Sequence, residues 1–166
     1  MPRTDTPAAL DERTQLLTML GYVRETAIAK VDGLGDEHAH RAPLASSPLT
    51  APAAILNHLR WVDQWWFEVI TAGREDRGPW TDEDPDGEFT IALTTPVADV
   101  VSGYRDQIAA SDAVLADLDL GAPTAHPVHD FHPNVRWVVL HMIEETARHN
   151  GHLDLLREMA DGVTGV

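Results

Sequence analysis

The chain has no cysteine among its 166 residues. Disulfides, thiolate metal ligands and a cysteine nucleophile are therefore excluded. Positive charge is scarce: 12 Lys and Arg stand against 27 Asp and Glu, a formal net charge of -15, and Lys30 is the one lysine. Nucleic-acid binders carry a basic face, and anionic membranes attract one, so neither partner is expected. No apolar run reaches the length of a membrane span. Met1 to Leu10 lacks the basic-then-apolar layout of a secretory signal, and a cytoplasmic address is the expectation. Strand-like alternation is nearly missing; only Glu88 to Leu93 suggests a short extended piece. Internal repeats and low-complexity tracts are absent as well.

What is present is helical. The hydrophobic share of 43% is ordinary for a folded chain, and the length suits a single domain over 1–166. Thr6-Pro7 predicts a helix start, with threonine as cap and proline in the first turn. Leu16, Leu20, Val23, Ala27 and Val31 continue a helical stripe that Gly33 and Gly35 end. Residues 36–49 read as a connection. A second helix is predicted from near Thr50, with Pro52 in its first turn and Ile55, Leu59, Val62, Trp66 and Val69 inward, closing at Gly73. Residues 73–94 form a long connection of the kind that often serves as a lid. Thr95-Pro96 repeats the capping pattern before a third helix with Val97, Val101, Tyr104, Ile108, Ser111, Leu115 and Leu118 on one face. The linker from Gly121 to Pro133 precedes a fourth helix from about Asn134 to Ala160, ending before Gly162. Four amphipathic helices with a long connection between the second and third predict an all-α antiparallel four-helix bundle.

Chemistry concentrates on the last helix. Val138, Met142, Leu153 and Leu156 set its inward face, and Glu145 and His149, four residues apart, share it. A carboxylate and an imidazole facing a core are costly to bury without a partner. His58 lies on the inward stripe of the second helix. Together these three could hold a cation with a position left open, and three N/O ligands suit zinc, nickel or iron(II). The plainer alternative is a hydrogen-bonded core histidine beside a one-turn Glu145/His149 pair. His152 sits near the same face, either as an alternative ligand in place of Glu145 or as a neighbour that orients the ligands. His141 is expected near the rim. His126, His129 and His132 are expected in solvent, as is the acidic run from Glu83 to Glu88. Trp61, Trp65 and Trp66 read as packing, with Trp66 or Trp80 able to line a pocket.

Asn57-His58-Leu59 followed by aromatic residues, Lys30-Val31-Asp32-Gly33-Leu34, and Glu145-Thr146-Ala147-Arg148-His149-Asn150-Gly151-His152 resemble the DinB-like superfamily over nearly the whole chain. That resemblance implies a four-helix bundle holding a divalent metal through one ligand on the second helix and two, spaced by four, on the last. On this chain those are His58, Glu145 and His149, with no catalytic residue beyond them. Many relatives carry histidine at the position of Glu145 and glutamine at that of His152. The histidine-glutamate-histidine version is similar to that of mycothiol-dependent maleylpyruvate isomerases and related thiol S-transferases. The implied cofactor is a divalent metal, zinc first and nickel or iron otherwise. The implied cosubstrate is a low-molecular-weight thiol of the mycothiol or bacillithiol type, used with a small electrophile, and by analogy the chain could form a homodimer. A metal-dependent hydrolase using metal-bound water is one alternative. A non-catalytic metal-binding or structural bundle is another.

Overall fold

The computed structural model describes residues 11–165. They form an all-helical protein with no β-strand among the described residues; two isolated bridges, Pro123 to Asn134 and Val128 to Phe131, pin the last linker. The elements are α1 (Glu12–Val31), a short α2 (Asp36–Ala39), α3 (Pro52–Asp63) continuing as a π-helical segment (Gln64–Thr71), a short α4 (Gly87–Thr90) followed by a 3-10 turn (Ile91–Leu93), α5 (Val97–Leu115) and α6 (Val135–Asp161). None of the described helices is long and apolar enough to cross a membrane.

Local chemistry sets the helix ends. The Asp11 side chain accepts from the Thr14 amide at the start of α1, as an N-cap should; the expected cap Thr6 lies outside the described residues. Asn134 accepts from the Trp137 amide at the start of α6, and Gly162 ends that helix in the left-handed region at φ +78°, where glycine carries no steric cost. Thr95 does not cap α5. Asp36 of α2 reaches across the chain and accepts from the Val97 amide at 2.8 Å, while Thr95 Oγ1 donates to the Ile91 carbonyl. The connection thus contains a helix, α2, that its polar and proline-marked sequence concealed. Glu88 to Leu93 is not extended either: it winds into α4 and the 3-10 turn.

The lower part of α3 is the largest departure from regular winding. Bonds of the wider class occur there, including the Ala72 amide to the Phe67 carbonyl at 3.2 Å, and the ladder holds one extra residue per turn. Phe67 and Ile70 are buried as a result, whereas Val69, on the expected stripe, is half-buried.

α1 packs mainly against α6 and α3 mainly against α5. The apolar core divides in two. One cluster gathers Ala27, Val31, Leu56, Leu59, Tyr104, Leu153 and Leu156. The other gathers Leu20, Trp66, Phe67, Leu115, Val138 and Met142. Between the clusters each long helix contributes polar side chains: Arg24 from α1, Asp63 from α3, Gln107 and Ser111 from α5, Thr146 and Asn150 from α6, all buried. Arg24 grips Asp63 with two bonds of 2.8 Å, and Ser111 Oγ donates to the same carboxylate. Removing two charges from water costs nearly what their attraction returns, so the gain of such a pair lies in fixing α1 against α3 rather than in net stability. Gln107 extends the layer by donating to Glu68 at 2.9 Å, and Arg74 and Arg77 close on that carboxylate from the surface.

Candidate metal centre

His58, Glu145 and His149 converge at this polar level. One ligand atom from each lies within 4.8 Å of the other two. His149 Nε2 stands 3.2 Å from Glu145 Oε1, and His58 Nε2 stands 3.6 Å from the same oxygen. All three side chains are about 15% exposed, open to a small ligand but largely shielded. The spacing suits a cation: donors about 2.1 Å from a tetrahedral ion are about 3.4 Å from one another. The chemistry of the set fits too, since two imidazole nitrogens and one carboxylate are acceptable to zinc, nickel or iron(II).

The carboxylate is kept ionised. The imidazole of His149, and next that of His58, holds the Glu145 carboxyl well below the usual carboxylate range, outweighing its partial burial. Arg148 also approaches it, Nη1 to Oε2 at 3.5 Å, while bonding Glu144 one turn earlier. Its second anionic neighbour keeps Arg148 at the surface.

Each imidazole is steered through its other nitrogen. His58 Nδ1 is 3.3 Å from Glu88 Oε1, and Phe89 stacks on the ring at 4.6 Å and 14°. Asn57, the preceding residue and itself buried, donates to the Glu88 carbonyl at 2.6 Å. With its Nδ1 proton directed at a carboxylate, His58 presents the Nε2 lone pair inward, the tautomer a metal ligand requires. His149 Nδ1 meets His152 Nδ1 at 3.4 Å. His152 is exposed and touches His149, not the point where the other three meet.

Glu88 is the site residue that sequence reasoning missed. It belongs to the acidic run expected in solvent, yet its side chain is largely buried. The available signal was Phe89, a lone aromatic among acidic and polar residues, which marks a point where the connection returns to the core. Gly87 makes that return possible: a Cβ there would lie 2.3 Å from the Pro79 carbonyl oxygen. The other histidines fall where expected. His126, His129 and His132 are exposed, the last bonded to the Thr124 carbonyl, and His141 sits at a rim, stacked on Trp137.

A pocket of about 450 Å³ opens beside Glu145, lined by Val62, Trp65, Trp66, Trp80 and His141. A larger hollow of about 570 Å³ near Arg13 and Arg136 shares no residue with the centre. A family model described as mycothiol-S-transferase matches residues 15–162. No curated protein matches the chain.

Proposed function

The chain belongs to the mycothiol-S-transferase family, and from that membership we propose that it is a metal-dependent transferase or isomerase using a low-molecular-weight thiol of the mycothiol or bacillithiol type. The proposed ligands of the divalent cation are His58, Glu145 and His149, with zinc as the first candidate and nickel or iron as alternatives. The observation that carries this reading is the meeting of three donor atoms within 4.8 Å in a chain with no cysteine of its own. The nucleophilic sulfur must then be imported. We further read the four long helices as an antiparallel four-helix bundle, residues 1–166 as one domain, and the cytoplasm as its place of work.

A divalent cation at this centre supplies one thing: it lowers the pKa of a bound thiol, so that a thiolate forms at neutral pH. The chain's residues do the rest. Glu145 gives the set its single negative charge, so the centre retains positive charge toward an incoming thiolate. Glu88 and Phe89 fix the His58 ring, and His152 steadies His149. The indoles of Trp66 and Trp80 restrict water on the pocket side.

Untagged protein purified without added metal is expected to carry a stoichiometric divalent cation and to conjugate a thiol to a chloro-aromatic electrophile. Both properties should fall in His149→Ala. Equal rates in that variant, or no bound metal, would refute the reading. Turnover of an ester or amide without thiol would point to metal-dependent hydrolysis instead.

A further inference from the structure

We propose that the pocket beside Glu145 is the acceptor subsite and that it takes an uncharged, flat aromatic electrophile. This inference rests on the reading of the His58–Glu145–His149 centre as the place where the thiol is held. Its own support is separate and comes from the pocket walls.

Those walls are rings. Trp65, Trp66, Trp80 and His141 line the pocket together with Val62 and Glu145. The rings brace one another: Trp65 meets Trp66 edge-on at 4.8 Å, Trp66 meets His141 at 4.7 Å, and His141 stacks on Trp137 at 5.0 Å. A volume of about 450 Å³ is within the range of small-molecule sites, which combine apolar walls with a few polar groups.

Trp80 is the telling wall. It lies on the connection between α3 and α5, outside both core clusters. Its indole is nonetheless held firmly. Nε1 donates to Asp76 Oδ2 at 3.2 Å, and the ring lies so close over Gly78 that a Cβ there would be 2.1 Å from it. Its edge meets Trp61 at 6.5 Å. A large apolar side chain fixed on a surface connection without serving the core has a ligand face as its remaining use.

Charge decides the class of ligand. No Lys or Arg lines the pocket, so a carboxylate substrate would find no partner there and would meet Glu145. An aromatic box with a carboxylate can also attract a cation. Here, however, Glu145 is already engaged by His149, His58 and Arg148, and the indoles touch edge-on rather than offering open faces around a point. A neutral aromatic is what remains. In the transfer step the thiolate sulfur attacks the carbon bearing a halide. The S–C bond forms as the C–halogen bond breaks, and the halide leaves with the bonding pair, so no oxidant or further reactant is needed.

The test uses calorimetric titration of the full chain stripped with EDTA and free of thiol. Three probes of one shape are compared: 2-naphthalenemethanol, 2-naphthoate and 2-naphthylmethylammonium. The neutral probe is expected to bind about tenfold more tightly than either charged one. Trp80→Ala should weaken it about tenfold, with the circular dichroism spectrum unchanged. Gly78→Ala retains the indole but displaces it, and should weaken binding in the same direction. Equal or tighter binding of a charged probe, or unchanged affinity in Trp80→Ala, overturns the proposal. Because neither metal nor thiol is present, failure of the transferase reading would leave this result untouched, and the reverse also holds.

Discussion

His58 Nδ1 lies 3.3 Å from Glu88 Oε1, across thirty residues of chain. The contact fastens the connection between α3 and α5 to the ring that faces the proposed cation. Anything that loosens the connection should therefore be felt at the centre.

The first expectation concerns this contact. Glu88→Gln keeps the shape but removes the charge that holds the Nδ1 proton. Metal affinity, measured by competition with a chelator, should drop by about 10–100-fold, the usual effect of losing a group that orients a ligand. Glu83→Gln, in the same acidic run but exposed, should leave affinity unchanged.

A second expectation concerns ligand-linked stability. A cation at 100 times its dissociation constant stabilises the folded state by about 2.7 kcal/mol. Melting with and without zinc should show a rise in the melting temperature of the parent chain and none in Glu145→Gln. An equal rise in both would remove Glu145 from the ligand set.

The buried ion pair makes a third case. Asp63→Ala strands Arg24, which is 1% exposed, and should cost about 3–5 kcal/mol in urea unfolding. Asp112 contacts the same guanidinium but is 54% exposed. Its replacement by alanine should cost about 1 kcal/mol or less.

The fourth expectation is a pH dependence. Burial pushes the Glu68 carboxyl up, but hydrogen bonds from Gln107 and Arg74 and the charges of Arg77 and Arg74 outweigh it and leave it below its ordinary value of 4.5. A depressed carboxylate stabilises the fold above its unfolded pKa and loses that contribution as pH falls through the folded one. The stability difference between the parent chain and Glu68→Gln should be full at pH 7 and shrink below about pH 4.5. A difference that grows on acidification would contradict the assigned network.

Much of this arrangement is legible in the sequence because it depends on short-range periodicity. Glu145 and His149 fall inward with Met142 and Leu153 by helical spacing alone, and His58 shares the level of Leu59. Asn134 and Gly162 mark the ends of α6 by residue type. The illegible parts are those where tertiary contact overrides local preference. Arg24 and Lys30 read as surface charges in α1, and only Asp63 and Asp154 across the interface explain their burial. Glu88 is indistinguishable from its acidic neighbours until Asn57 and His58 take hold of it. The cap of α5 comes from Asp36, sixty-one residues earlier, which no local pattern encodes.

The π-helical winding of Gln64–Thr71 has a mechanical consequence for how this protein can vary. His58 precedes the irregular stretch, whereas Trp65 and Trp66 lie within it. Deleting one residue between them and Thr71 would let the backbone relax to ordinary winding and swing everything downstream by about 100°. The donor set could survive such an event while the indoles were turned to a new bearing. Acceptor preference is in this sense geared separately from the cation, through a hinge of register that a single codon can shift.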